Sequence, residues 1–168
     1  MKKLFLPIFI LFVSLSSFAQ TKVGTIDSDL VLASLPELLT VQSQLETYGA
    51  DLDKQFSDLV TKYQDQVKAY QTVETTATEA DKKTKQQELA SLEQDIQKFR
   101  QNSQGLIQVK QNELMQPLYE KVGKALEEVA KAQKYTQVLT LNAGVGYFDP
   151  AYDLTQAVAD KIGVPLKQ

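Results

Sequence analysis

The chain has 168 residues, with 18 Lys+Arg against 21 Asp+Glu, no histidine and no cysteine, for a net charge of −3. Without histidine and cysteine it lacks the commonest general base, the usual nucleophile–base pairs and nearly every kind of zinc site, and it can form no disulfide. The acidic balance argues against a nucleic-acid partner, which would normally meet a basic face.

Lys2 and Lys3, the apolar run Leu4 to Val13 and the small-x-small triplet Ser17-Phe18-Ala19 predict a secretory signal over residues 1–19, cleaved after Ala19. The apolar run is short for a membrane span, and no second candidate follows it, so the mature chain is expected to be exported and soluble. Loss of Lys2 and Lys3 leaves 16 basic and 21 acidic side chains, a net charge of −5.

Val23-Gly24-Thr25-Ile26 reads as a strand, and Asp27 or Ser28 can cap a short helical turn through Leu30, Val31 and Leu32. Pro36 suits the first turn of the next helix. From there to Thr72, apolar residues recur in steps of three and four: Leu38, Val41, Leu45, Tyr48, Leu52, Phe56, Leu59, Tyr63, Val67 and Tyr70. On a helix they form one stripe, and the eleven-residue repeats Leu45-Phe56-Val67 and Tyr48-Leu59-Tyr70 predict a nearly straight seam. The pattern fails in a threonine cluster, where Thr78 and Asp81 resemble a capping box. A second stripe runs through Leu89, Leu92, Ile96, Phe99, Leu106, Lys110 and Leu114, and Pro117 is expected to interrupt or kink that helix before it resumes from Leu118 to about Gln133.

Pro36 and Pro117 lie symmetrically about the threonine cluster, so residues 36–117 are predicted to form a helical hairpin arm with its tip near 73–80. Helices of about 40 residues reach roughly 60 Å, beyond any core so small a chain could build, so the arm is expected to project. Facing positions should sum to about 153, which sets Gly49 beside Gly105 as either a hinge or a close helix–helix contact.

Thr136 to Leu141 and Val145 to Phe148 read as two further strands joined by the turn Asn142-Ala143-Gly144, and Asp153 or Thr155 can cap a last helix ended by Gly163 and Pro165. The fold class is α+β: a body of residues 20–35 and 118–168 with three short strands, carrying the arm. Such a body has exposed sheet edges and little core, for which oligomerisation is the natural remedy.

Taken together, Val23-Gly24-Thr25-Ile26-Asp27, the long hairpin, Val122 to Ala132, Tyr135 to Leu141, Gly146-Tyr147-Phe148 and Asp153-Leu154-Thr155 resemble the Skp/OmpH family of periplasmic chaperones over essentially the whole mature chain. The resemblance implies a homotrimer in which three bodies pool their strands into a central barrel and the arms surround a cavity. It further implies a periplasmic holdase that keeps unfolded outer-membrane proteins from aggregating without ATP. Val23, Ile26, Val138, Leu139, Leu141, Val145 and Tyr147 would then belong to the trimer body. No catalytic residue, metal or cofactor is implied. One departure is the arm's charge, with 9 Lys+Arg against 13 Asp+Glu over residues 36–117, which argues against lipopolysaccharide or membrane phosphates as partners.

Val60, Val73, Val109 and Met115 fall off or at the margin of the stripes and are the candidate client contacts, while Gly49 and Gly105 are the candidate hinge. Asp149 and Asp153 are too few for a calcium site and read as a turn and a cap. Gly144-Val145-Gly146 lacks the third glycine and the helix of a nucleotide loop. The alternative from another class is a structural coiled-coil adaptor of the envelope that binds one folded partner. It would call for a stricter seam and an apolar patch at the tip, where this chain has threonines.

Overall fold

A computed structural model describes residues 21–166, so the predicted signal segment lies outside the described residues. The elements in chain order are β1 (Val23–Ile26), α1 (Ser28–Ala33), α2 (Glu37–Val73), α3 (Glu79–Ala132), β2 (Gln137–Thr140), a 3-10 turn (Pro150–Tyr152) and α4 (Thr155–Ile162). The chain divides into two compact units, one formed by residues up to 31 together with 124–166, the other by residues 32–123.

In the first unit β1 and β2 pair in parallel, with Val23 opposite Gln137 and Ile26 opposite Thr140. The other side of β1 is taken by the segment entering α4, through a bridge between Thr25 and Asp153 and a bond from the Leu154 N–H to the Thr25 carbonyl at 2.8 Å. The core is small and tightly closed: Ile26, Val31, Leu154, Val158 and Ala159 are all at most 1% exposed. Asp27 caps α1 by accepting from the Leu30 N–H at 2.8 Å. Asp153 accepts from the N–H and the hydroxyl of Thr155 (3.0 and 2.6 Å), and that hydroxyl oxygen accepts from the Asp27 N–H at 2.8 Å. The start of α4 is thus fastened to the end of β1 by a part-buried polar chain.

Val145 to Phe148, expected as a strand, is not one. The turn before it forms, with Asn142 accepting from the Gly144 N–H at 2.9 Å and its carbonyl from the Val145 N–H at 3.0 Å. The chain must then travel from β2 to the opposite side of β1, where Asp153 docks, so these residues cross between the two and do not fold back along β2. The sheet has two strands, one fewer than expected.

The second unit is an antiparallel helical pair. Glu37 meets Lys121, Phe56 stacks on Phe99 with ring centroids 6.3 Å apart, and Gln86 donates to the Tyr70 hydroxyl at 3.2 Å. These partners sum to 155–158 where 153 was expected, although the turn between Glu74 and Thr78 is centred close to the expected midpoint; α3 spends a few more residues than α2 between the turn and each paired level. Thr78 caps α3 as expected, its hydroxyl accepting from the Asp81 N–H (3.2 Å), but the Asp81 carboxylate accepts from that hydroxyl (2.7 Å) in place of the backbone N–H of a full capping box.

α3 runs unbroken through Pro117, so the expected interruption does not occur. Proline removes one hydrogen bond, the one the Glu113 carbonyl would accept, but Leu118 and Val122 just beyond it are 7% and 4% exposed, and their burial holds the next turns in register.

Candidate functional surfaces

The register of the sheet sorts its side chains onto two faces. Gly24, Ile26, Val138 and Thr140 share one face, turned toward the core that buries Gly24 and Ile26. Val23, Thr25, Gln137 and Leu139 share the other, where Val23 is 39% and Leu139 45% exposed. Among the described residues no strand pairs with the far edge of β2, which leaves its backbone groups free to accept a further strand. Past the turn, Tyr147 is 85% exposed. The seven residues expected in an assembly body are therefore divided: Ile26 is interior to its own unit, Val138, Leu141 and Val145 are half-buried, and Val23, Leu139 and Tyr147 are open.

Gly24 explains how so thin a body closes. A Cβ there would lie 2.5 Å from Leu154 Cδ1 and 2.8 Å from Tyr135 Cε1, so only glycine lets those two side chains meet over the strand. The Lys22 ammonium sits 3.9 Å above the Tyr135 ring and donates to the Gln133 carbonyl at 3.0 Å, tying β1 to the C-terminal end of α3.

In the arm every residue of the α2 stripe from Leu38 to Tyr70 is at least half-buried, with Val41 and Leu52 fully so. The facing stripe on α3 is poorer. Leu92 is buried and Leu89, Ile96, Phe99 and Leu114 are half-buried, but Ser103 and Lys110 occupy seam positions and Leu106 is 40% exposed. Ser103 turns its hydroxyl back to the Phe99 carbonyl (2.7 Å), and Lys110 swings its ammonium to Glu113 (3.0 Å).

The four off-stripe candidates fall into two pairs: Val73 and Val109 are 43% and 64% exposed, Val60 and Met115 half-buried. Leu39, Ile107 and Tyr119 are also open, at 65%, 39% and 55%, and sequence reasoning passed over all three. The signal was present, since Leu39 lies beside the α2 stripe and not on it. A Cβ on Gly49 or Gly105 would meet nothing within 4 Å, so neither glycine is there for close helix packing. At the base of the hairpin the Lys121 ammonium holds the Glu37 carboxyl below its ordinary value of 4.5, chiefly by direct hydrogen bonding. Among the described residues no helix is long and apolar enough to cross a membrane, and no three metal-ligating side chains converge.

The family described as outer membrane protein (OmpH-like) matches residues 22–162, nearly all of both units. The chain belongs to the OmpH-like family. A crystal structure of a candidate outer membrane chaperone (OmpH-like) from Caulobacter crescentus shares the fold at a TM-score of 0.65 and 20% identity, with 86% of this chain and 85% of that one covered. No curated protein is similar enough to this OmpH-like chain to count as a relative. OmpH-like proteins form a family of outer-membrane chaperones and are not enzymes.

Proposed function

We propose that this OmpH-like chain is an ATP-independent holdase of the periplasm that binds unfolded outer-membrane proteins between its helical arms and prevents their aggregation. In this reading residues 1–19 direct export and are cleaved after Ala19. Three bodies assemble through the open edge of β2 and the Val23–Leu139 face, and the arms surround a cavity.

The observation that carries the reading is the arm's uncovered apolar surface. Leu39, Leu106, Val109 and Tyr119 are 40–65% exposed on the helical pair. Each would contribute a weak contact, and several on three arms around one cavity would act through high effective concentration, giving firm capture with rapid local exchange. Release needs no nucleotide, since a client that folds or inserts elsewhere withdraws the surface that was bound. The exposed sheet edge supports the assembly half of the reading, because a two-stranded sheet with an open apolar face gains from a second copy.

The test is sedimentation of residues 20–168, alone and with a β-barrel outer-membrane protein diluted from urea. A trimer that keeps the client soluble without nucleotide is expected. A client left to aggregate overturns the holdase reading in favour of an envelope adaptor.

A further inference from the structure

In the part of the arm nearer the Glu37–Lys121 end, where α3 offers a lysine in place of an apolar seam residue, Gln44, Thr47, Tyr48, Asp51 and Lys110 line an open crevice of about 540 Å3. Lys110 is the cause: its side chain is only 30% exposed, yet its ammonium turns to Glu113, so its stem does not fill the space a leucine would. One turn earlier on α3 stands Leu106, 40% exposed, and next to Lys110 stands Val109, 64% exposed.

Asp51 is exposed and accepts from the Gln55 amide at 2.8 Å; the Lys54 ammonium is attracted to it only weakly, being bonded directly to Asp58 at 2.7 Å. The crevice and its margin thus hold two carboxylates, Asp51 and Glu113, and one ammonium already engaged, within an arm that is acidic overall. An aromatic ring, a carboxylate that no ammonium bonds directly and an aliphatic margin together suit one kind of occupant. A guanidinium can stack on a tyrosine ring while donating to a carboxylate, and its aliphatic stem can lie along leucine and valine.

We propose that this crevice is a capture site for basic side chains, arginine above all, in extended segments of an unfolded polypeptide. The proposal rests on the holdase reading and names what that reading leaves open, the chemistry the arm prefers. The arm holds apolar segments best where a positive charge sits beside them, and acidic segments are disfavoured.

The test uses residues 20–168 and two labelled, otherwise uncharged extended peptides that differ at one position, Arg-Leu in one and Glu-Leu in the other, with affinity read by fluorescence anisotropy. The arginine peptide is expected to bind several-fold more tightly and to lose that advantage at high salt. Asp51→Asn should weaken it about twofold to fivefold, the range for an exposed ion pair, and leave the glutamate peptide unchanged. Asp51 is exposed, so helix content should persist. Tyr48→Leu, which removes the ring and keeps an apolar seam residue, should likewise reduce arginine-peptide binding.

Equal affinity for the two peptides, or no effect of Asp51→Asn, overturns the proposal. If the wild-type chain nevertheless keeps the β-barrel client soluble, the holdase reading survives that failure; if the client aggregates as well, both fall.

Discussion

Two backbone positions in the body show how individual residues limit its stability. Gly24 admits no side chain, because Leu154 is 1% exposed and Tyr135 is held beneath the Lys22 ammonium, so neither neighbour can retreat cheaply. Gly24→Ala is expected to cost about 2 kcal/mol through overpacking, and thermal unfolding should show a midpoint several degrees lower. Lys134 is the opposite case. It closes α3 with φ of 60°, while the Tyr135 N–H bonds to the Ala130 carbonyl at 2.9 Å. α4 ends the same way, but with Gly163 at φ 84°, where the conformation is free of the Cβ penalty. Lys134→Gly should therefore stabilise the protein by about 0.5–1 kcal/mol, read from the denaturant midpoint at unchanged slope.

The helices of the arm differ in how completely they are built. α2 carries a continuous stripe, whereas α3 lapses at Ser103 and Lys110, and the two glycines lie close to the same stretch. Since an added Cβ meets nothing at either glycine, Gly49→Ala with Gly105→Ala should raise stability by about 1 kcal/mol per site. If the pair acts as a hinge, the double variant should also hold a narrower range of client sizes, and an unchanged range would remove that role. These elements were largely legible in the sequence because apolar steps of three and four are a strong local signal, as is the Thr78–Asp81 cap. The register was not, since the facing pairs are offset by a few residues although the turn closes near the expected midpoint, and apolar spacing within each helix does not encode an offset between them. Leu106 was assigned to the seam by spacing alone. Its 40% exposure follows from the neighbours it lacks, which spacing cannot reveal. Val145 to Phe148 has the composition of a strand, but pairing is decided by where the chain must go next.

The two units pose separate questions about assembly. If the body carries it, deleting residues 37–116 and bridging the ends should leave a species that still sediments as a trimer, whereas a monomer would assign assembly to the arms. The body's parallel pairing also bears on how the protein is made. β1 and β2 are separated by the entire helical pair, so the sheet is among the most non-local structures of the described residues, while the hairpin is built of contacts that close progressively from the turn at Glu74–Thr78. Local contacts form early and distant ones late. β1 therefore stays unpaired until a segment more than a hundred residues further along the chain reaches it. The Glu37–Lys121 pair at the open end of the hairpin shortens that wait in space, since a zipped arm brings the chain on either side of it close together and removes most of the loop-closure cost. The arm would then serve as the folding clamp of its own body before it meets any other protein.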